Sequence, residues 1–388
     1  MESAKKKLQK KWVSRKKIQN KMIIHRLLIG TSVFWTGISC IMSPMRNVPL
    51  ISVVIPNYNG ARFLENCLAS LTAQTYSEME LIVVDNASED QSVALVQGLA
   101  PQVVLLKQTR NLGFAGGANA GIRASKGDWV AVLNNDAEVA ADWLSECAHA
   151  IQIHSDAAFL ACRILDLGSP GRIFSAGDCF LRAGIGYRRG QEQKDRAEFR
   201  DECEIFSASG CAALYRRDAL VATGGFDERF FAYLEDVDLG LRLQALGYRG
   251  YYVPRAEVYH LGSATSGGEF SDLSVRLRTR NALLLLFKSM PGRILFRCLP
   301  IIFLAQLWWL LRVAIRGSLI HYFRGLVSAF LSAPAMIRER SKMRSHWRTS
   351  TSYLWQCILQ SESLARNDFV ENPDASASLF LKWYFRIF

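Results

Sequence analysis

Short apolar segments alternate with amphipathic segments through the first two thirds of the chain. The sequences LISVVIP (50–56), LIVVD (81–85), VVLL (103–106) and WVAVLNND (129–136) are brief and, up to their last residues, almost wholly apolar. Such strands are typical of a parallel sheet that helices cover on both faces. The stretches between them, the first of which starts at Ala61, have helical spacing. The pattern predicts an α/β domain with a mostly parallel sheet between helices.

Polar and acidic residues follow three of the predicted strands. Ligands of such sheets bind beyond the carboxyl ends of the strands, which lie at one edge. The sequence therefore predicts a polar binding site at this edge. Its first candidates are Asn57, Tyr58 and Asn59 after the first strand, Asp85 and Asn86 after the second, and Asn134, Asn135 and Asp136 after the fourth.

The N-terminal part combines positive charge with a short apolar segment. Residues 1–26 hold ten lysines and arginines against one acid, and LLIGTSVFWTGISCIM follows at 27–42. Its 16 residues are fewer than the roughly 20 that span a bilayer. With the positive flank held inside, a crossing here would place the rest of the chain outside the cytosol. We expect either a membrane anchor or an interfacial, poorly ordered leader.

A second basic stretch lies at 276–348, where fourteen lysines and arginines face Glu339 alone. Its most apolar part, LPIIFLAQLWWLL at 299–311, has 13 residues between Arg297 and Arg312. We expect this part to be too short to span a bilayer and to lie in the membrane interface; a helical hairpin packed on the preceding domain is the alternative. Basic flanks mixed with Trp, Leu and Ile favour an anionic membrane surface over nucleic acid.

The cysteines and the C-terminal residues narrow the picture further. The nine cysteines are odd in number and scattered, without a C-x-x-C pair or a histidine at metal-ligand spacing. They indicate reduced thiols in a cytosolic compartment and argue against zinc. From about Ser361 we expect a loosely attached tail, up to the aromatic and basic segment LFLKWYFRIF.

Two motifs are candidates for holding a nucleotide. Asp85 can accept a hydrogen bond from the imide N–H of a uracil or thymine ring, or it can serve an Asx turn or a helix N-cap. NLGFAGGANAGI places Gly113, Gly116 and Gly117 just before a helix. There bare backbone can approach a diphosphate, although glycine-rich turns also occur for packing reasons alone.

Asp136 and His260 are candidates for a metal or phosphate site. A hard divalent cation on a nucleotide diphosphate needs only one or two carboxylates, because water and phosphate oxygens supply its other ligands. Asp136 in LNND can be such a ligand or belong to a polar turn. His260, at the end of the predicted strand in VPRAEVYHLGSAT, can be a neutral ligand, a phosphate contact or a structural residue.

The segment FFAYLEDVDLGLRL sets three acids among apolar and aromatic residues. If a helix begins near Glu235, Asp238 and Arg242 lie one turn apart and form an ordinary ion pair. Glu235 and Asp236 remain, and an aromatic environment raises the pKa of a carboxyl group by desolvation. A raised pKa suits a general base that takes a proton from a sugar hydroxyl.

Six segments together carry a resemblance to a known family. VVIPNYNG, VVDNASED, NLGFAGGANAGI, LNND, GGFDERFFAYLEDVDLGLRL and VPRAEVYHLGSAT follow one another in the order and approximate spacing of the family 2 inverting glycosyltransferases. The chain resembles the rhamnosyltransferase-like branch most closely, over residues 50–260, with Arg280-Asn281 and its basic, apolar tail as a looser match. The resemblance implies a GT-A type nucleotide-diphospho-sugar transferase fold with a C-terminal membrane-associated helical region.

The resemblance also implies roles for individual residues. Asp85 would hold the base, and Asp136 would match the metal-binding acid of the D-x-D motif, for Mg²⁺ or Mn²⁺, with His260 near the metal or the diphosphate. Asn134 stands where many members have Asp, so its direct metal role is in doubt. Asp236 would be the base, next to Glu235. The other donor-binding residues would be Pro56, Asn57, Tyr58, Asn111, Gly113, Asn134 and Asn135.

The expected function is transfer of one sugar from a nucleotide-diphospho-sugar, with dTDP-L-rhamnose as one candidate. The acceptor would be a lipid-linked or membrane-proximal saccharide, in cell-surface polysaccharide assembly at the cytoplasmic face of the membrane. A sugar nucleotidyltransferase and a non-catalytic, membrane-tethered nucleotide-sugar-binding protein are the alternatives, and a processive synthase is disfavoured because no Q-x-x-R-W motif is present. The expected divisions are a leader (1–48), a catalytic domain (49–270), a basic-apolar helical membrane-associating region (271–345) and a tail (346–388).

Overall fold

The structure, a computed structural model, describes residues 48–100, 102–262, 268–370 and 379–387. The expectation of an anchor or leader at 27–42 lies outside these residues. The described part contains two sheets. Their strands are β1 (Ile51–Asn57), β2 (Met79–Asp85), β3 (Val104–Lys107), β4 (Trp129–Leu133), β5 (Ala137–Val139), β6 (Ala157–Asp166), β7 (Ile173–Ser175), β8 (Asp178–Phe180), β9 (Gly186–Arg188), β10 (Cys203–Ile205), β11 (Ala212–Arg216) and β12 (Arg249–His260).

The helices lie between the strands and then follow them without interruption. Four of them alternate with the first strands, two flank the segment before β12, and five form the C-terminal region. They are α1 (Ala61–Thr72), α2 (Ser92–Leu99), α3 (Gly113–Ala124), α4 (Trp143–Ile153), α5 (Arg217–Thr223), α6 (Glu235–Ala245), α7 (Asp272–Ser289), α8 (Gly292–Ile315), α9 (Leu319–Arg344), α10 (Thr351–Val370) and α11 (Leu379–Ile387).

The main sheet is parallel on one side and mixed on the other. Its order is β10-β12-β6-β11-β4-β1-β2-β3, with β5 on β12 and β7 on β6. The strands β4, β1, β2 and β3 run parallel, as predicted, whereas β11 runs antiparallel to both β4 and β6. The parallel strand ends after β1 and β4 therefore meet at one edge, which is where the polar residues were expected.

The fully apolar character of the central strands follows from burial on both faces. In β1, Ile51, Val53 and Ile55 pack into the core that includes α1 and α4, while Val54 packs into a second core that includes α3. Successive side chains of a strand point to opposite faces, so a strand covered on both sides has few polar positions; Ser52 of β1 is buried and donates to Glu80. This explains the almost unbroken apolar runs in the sequence.

The C-terminal helices share a third core with the β8–β9 hairpin. Phe180 of β8 packs there with residues of α7, α8, α10 and α11. The expected loose attachment from about Ser361 is wrong: the backbone N–H of Phe180 donates to Ser361 Oγ at 2.7 Å, and Arg189 Nε pairs with Asp368 at 2.8 Å within a buried region. An ion pair removed from water holds both partners in place only with good geometry, which this pair has.

Helix α8 is longer than the apolar run that marks it. It has 24 residues and a mean hydropathy of 1.9 in its most apolar stretch, so by length and composition it is able to cross a membrane. The expectation that this part is too short to span was wrong, because the helix continues past both flanking arginines. One face, with Ile294, Cys298 and Ile302, is buried against the domain. The other face is apolar and exposed, as at Phe303.

Candidate functional site

A cavity of about 910 Å³ lies at the predicted edge of the sheet. Its lining comes from the ends of β1, β4 and β12, the β8–β9 hairpin, the segment before α6, and helices α7 and α8. Of the twelve residues predicted for the site, Asp85 alone is outside the lining; it is buried beside Asn57. The structure brings the other eleven together: Pro56, Asn57, Tyr58, Asn111, Gly113, Asn134, Asn135, Asp136, Glu235, Asp236 and His260.

One end of the cavity carries a network of amide and carboxylate groups. The Nδ2 group of Asn57 lies 3.4 Å from Asp85 Oδ1 and 3.3 Å from Ser88 Oγ, and Asn135 Nδ2 donates to Asn57 Oδ1 at 2.7 Å. The other carboxylate oxygen of Asp85 accepts the backbone N–H of Ser88 at 3.1 Å. Asp85 thus has the turn role that was its alternative assignment, and its contact with a base stays a prediction.

The glycines of the NLGFAGGANAGI motif lie within α3, not just before it as expected, and they are needed for packing. Gly113 has φ +71°, and its N–H donates to Asn111 Oδ1 at 2.8 Å. A Cβ at Gly113 would lie 2.4 Å from the carbonyl oxygen of Phe231, which itself accepts the N–H of Ala115 at 3.1 Å. A Cβ at Gly117 would lie 2.5 Å from Asn86 Nδ2. At Gly113 and Gly117 the absence of a side chain is therefore explained by close packing. Asn111 and Gly113 nevertheless line the cavity.

Asp136 and His260 converge at the junction of β4 and β12. Asp136 Oδ1 lies 3.0 Å from His260 Nε2, Asn134 Nδ2 lies 3.3 Å from the same nitrogen, and both the carboxylate and the imidazole ring are buried. Within the described residues no group of three or more His, Cys, Asp or Glu side chains forms a metal cage. One carboxylate facing a cavity fits a cation that takes its remaining oxygens from a substrate diphosphate and water.

Asp236 is held at the cavity wall by backbone donors. Its Oδ2 accepts the N–H of Gly210 at 2.9 Å, and its Oδ1 accepts the N–H of Val237 at 2.8 Å. Burial raises its pKa, and the two N–H groups and the charge of Arg188 limit that rise. Its carboxylate therefore has a fixed position and a strengthened basicity, as a general base requires.

Glu235 differs from Asp236 in its surroundings. Its side chain is buried, and Oε2 has no hydrogen-bond partner in the part of the chain that the structure describes. Burial and the neighbouring charge of Asp236 raise the pKa of Glu235 well above its usual value. Of the two acids, Glu235 favours the protonated form, which leaves Asp236 as the better base.

Three further groups around Asp236 were not predicted from the sequence. Asp178 lines the cavity from β8, accepts a hydrogen bond from Ser175 Oγ at 3.0 Å, and has its pKa raised to about 8 by burial and by the charge of Asp236. Arg188 faces Asp178 across the β8–β9 hairpin. Gly210 supplies the N–H described above. The hairpin strands have three residues each, too few for a recognisable period.

The predicted ion pair at the start of α6 is confirmed. Arg242 Nε lies 2.8 Å from Asp238 Oδ2, one turn away. Lys288 Nζ of α7 lies 2.8 Å from the same oxygen and 2.7 Å from Asp227. Burial alone would raise the pKa of Asp238, but Arg242 and Lys288 lower it below its usual value. Asp238 is therefore a structural residue that ties α6 to α7.

The residues immediately before the acid pair are strained. Phe231, Tyr233 and Leu234 have φ values of 65°, 72° and 67°, a region that non-glycine residues rarely adopt. Strain of this kind costs about 1–3 kcal/mol per residue and persists only where the surroundings enforce it. Here Asn281 of α7, which has no exposed surface, donates its side-chain amide to the carbonyls of this segment.

Comparison with known proteins shows the family. The family model "Glycosyl transferase family 2" matches residues 52–223. An N-acetylglucosaminyl-diphospho-decaprenol L-rhamnosyltransferase of Mycobacterium tuberculosis is 30% identical over 243 residues, which are 56% of this chain and 78% of the relative. The chain belongs to glycosyltransferase family 2. The resemblance found in its motifs is thereby confirmed.

Two further similarities describe how far this glycosyltransferase matches known chains. An uncharacterized protein of Sinorhizobium fredii is 32% identical over 239 residues. The aligned residues are 58% of this chain but only 26% of that relative. Among solved structures, S. aureus TarS 1-349 aligns with 83% of this chain and 91% of its own, at 15% identity and a TM-score of 0.48. The predicted α/β fold, with a largely parallel sheet between helices, is confirmed, and the described residues of the C-terminal region include one helix that is long and apolar enough to cross a membrane.

Proposed function

We propose that this glycosyltransferase moves one sugar from a nucleotide-diphospho-sugar to a saccharide acceptor, with inversion at the anomeric carbon. The observation that carries the proposal is the position of Asp236, fixed by the amides of Gly210 and Val237 in the same cavity as the strand ends with Asn57 and Asp136. A carboxylate base and a polar nucleotide edge in one cavity are what direct displacement requires.

The donor would lie along the ends of the parallel strands. Asp85, through its contact with Asn57, would hold the base, with Pro56 and Tyr58 beside the nucleoside. Asn111, Gly113, Asn134 and Asn135 would line the ribose and diphosphate. The name of the mycobacterial relative supports dTDP-L-rhamnose as the donor to test first.

The reaction would be a single displacement. Asp236 accepts the proton of an acceptor hydroxyl, and the oxygen forms a bond to the anomeric carbon from the face opposite the leaving group. The bond from that carbon to the phosphate oxygen breaks, and its electron pair leaves with the nucleoside diphosphate. Burial and the charge of Asp236 raise the pKa of Glu235, and in its protonated form Glu235 would donate a hydrogen bond to the acceptor sugar, because its Oε2 has no hydrogen-bond partner among the described residues.

A divalent cation fits the region of Asp136. Asp136 would hold Mg²⁺ or Mn²⁺. His260 Nε2 lies 3.0 Å from Asp136 Oδ1. When bound, the cation would supply positive charge that offsets the charge of the departing diphosphate. His260 would also fix the direction of the Asp136 carboxylate, which is the role of an orienting hydrogen bond next to a metal ligand.

The acceptor would be lipid-linked or close to a membrane, at its cytoplasmic face. The exposed face of α8 carries Phe296, Phe303 and Ile315, and α9 adds exposed apolar residues such as Phe323. Arginines flank both helices. An amphipathic surface with basic flanks binds an anionic bilayer, and the mycobacterial relative's name includes a decaprenol-linked acceptor.

The experiment measures sugar transfer by Asp236→Asn. With Mn²⁺ and a panel of dTDP-rhamnose, UDP-sugars and GDP-mannose, the variant should lose about 10²–10⁴-fold in rate and still bind the donor. Asp218→Asn is the matched control and should retain full activity, because Asp218 is an exposed acid of α5 that pairs with Arg216 at the end of β11. Wild-type rates in a folded Asp236→Asn protein would reject the proposal, and donor cleavage that releases a nucleoside triphosphate on addition of pyrophosphate would indicate a nucleotidyltransferase.

A further inference from the structure

The cavity continues past the acid pair to a group of arginines. Arg278 of α7 and Arg312 of α8 line this end, and one carboxylate, Glu269, lies between them. Arg312 Nη1 and Nη2 each lie 3.2 Å from an oxygen of Glu269, and Arg278 Nη1 lies 3.6 Å from one of them. The two guanidinium groups and the carboxylate together carry a net charge of +1.

Aromatic rings hold both guanidinium groups in place. The Cζ of Arg278 lies 4.9 Å from the ring centre of Tyr233, and the Cζ of Arg312 lies 4.9 Å from that of Phe270. The Tyr233 hydroxyl is itself fixed by Ser274 Oγ at 2.7 Å. A guanidinium that stacks on a ring is preorganised, so it loses less conformational freedom when it binds a planar or tetrahedral anion.

The electrostatic surroundings leave these arginines short of negative charge. Burial lowers the pKa of Arg278, the positive charges of Arg188 and Arg312 lower it further, and Glu269 opposes this. In addition, Gln306 and Trp308, which lie on α8 with Arg312, line the same cavity, and their Oε1 and Nε1 atoms have no hydrogen-bond partner among the described residues. This end of the cavity therefore suits a ligand that is anionic and also has hydroxyl or amide groups.

We propose that Arg278 and Arg312 form a binding site for a phosphoryl group of the acceptor, whose position Glu269 occupies in the free protein. The inference rests on the proposed function and names the chemical class of its acceptor: a saccharide joined to a lipid through phosphate. Arginine forks bind phosphate oxygens in pairs. On α8 the next exposed residues, Leu311 and Ile315, are apolar, so a lipid chain attached to the phosphate has a surface to follow.

A phosphoryl group could also come from the diphosphate of the donor, so the experiment separates the two sources. Isothermal titration calorimetry on the full chain would use farnesyl diphosphate and farnesol as acceptor-side probes and UDP and dTDP as donor-side probes. Arg278→Gln and Arg312→Gln should each weaken farnesyl diphosphate binding by about tenfold to hundredfold and leave farnesol, UDP and dTDP binding unchanged. Arg316→Gln is the matched control, because Arg316 also lies over Phe270 but is exposed and outside the lining.

Glu269→Gln gives a result that a purely structural ion pair would not produce. Removing the competing carboxylate should tighten farnesyl diphosphate binding, with circular dichroism confirming that the variant is folded. The site is overturned if the arginine variants weaken UDP or dTDP binding instead, or if Glu269→Gln and both arginine variants leave farnesyl diphosphate binding as in the wild type. Because these measurements need no sugar transfer, an inactive but normally binding protein would reject only the proposed function.

Discussion

The side-chain amide of Asn281 donates to the backbone carbonyl of Tyr233 at 2.7 Å, and in this way helix α7 holds the segment that leads into Asp236. The same nitrogen lies 3.0 Å from the carbonyl oxygen of Phe230 and 2.8 Å from that of Ala232. Three carbonyls converge on one amide, so the strained conformation of the segment depends on a hydrogen-bond donor at this position. The position of Asp236, the proposed base, thus depends on a residue in the C-terminal helices.

Replacing Asn281 by Asp should therefore impair catalysis more than binding. The new carboxylate would face three carbonyl oxygens without a donor, which costs about 1–3 kcal/mol of stability and displaces Asp236. We expect kcat to fall by about 10²-fold, with the KM for the donor unchanged. Leu284→Ala, a buried residue of the same helix, should lose about 2–5 kcal/mol and keep its kcat. Equal kcat losses in both variants would show that Asn281 acts through stability alone.

The stability of the protein should respond to Asp178 in a definite direction with pH. The pKa of Asp178 is raised to about 8 in the folded state, so between about pH 4 and pH 8 the folded protein binds a proton that the unfolded chain has released. Its contribution to the free energy of unfolding therefore falls as pH rises through that window, by at most about 1.4 kcal/mol per pH unit.

Asp178→Asn removes this titration, so the variant should gain stability relative to the wild type as pH rises from 5 to 8. Urea unfolding at several pH values measures the difference, from which the contributions of groups that do not interact with Asp178 cancel; the neighbouring Asp236 titrates together with Asp178. Asp218→Asn, which changes an exposed carboxylate, provides the reference. A constant difference between wild type and Asp178→Asn across this range would contradict the assignment of the shifted pKa.

The sequence predicted the part of the fold that depends on local pattern. The apolar runs of β1, β2 and β4 are long enough to be recognised, and their polar ends meet because parallel strands share an edge. Six of the predicted site residues, at the ends of β1 and β4, line one cavity for this reason. The ion pair of Asp238 with Arg242 was also predictable, since it depends only on helical spacing.

What could not be predicted depends on contacts between distant segments. Asp178 and Arg188 come from a short hairpin whose place beside Asp236 is set by the packing of the C-terminal helices. Gly113 was predicted to bind a phosphate because its packing against Phe231 could not be predicted. Phe231 is more than a hundred residues away in the sequence. The tail from Ser361 looked loose because its partners in β8 and after β9 lie far earlier in the chain.

The exposed apolar face of α8 should be the surface that binds a bilayer. Phe296, Phe303 and Ile315 are 79%, 67% and 84% exposed. Burying each such side chain is worth about 1.5–3 kcal/mol, so replacing all three by serine should weaken binding to phosphatidylglycerol vesicles by at least about 10²-fold. Val221→Ser is the matched control, because Val221 is 75% exposed on α5, outside the C-terminal helices. Vesicle co-sedimentation would be measured for the full chain and for the chain from Met45, which separates any binding by residues 1–44.

The vesicle binding of the shorter chain should fall as salt is raised, because the flanking arginines are attracted to the anionic surface over about a Debye length. If the triple serine variant of the shorter chain sediments with vesicles as the wild type does, α8 is not the membrane-binding surface.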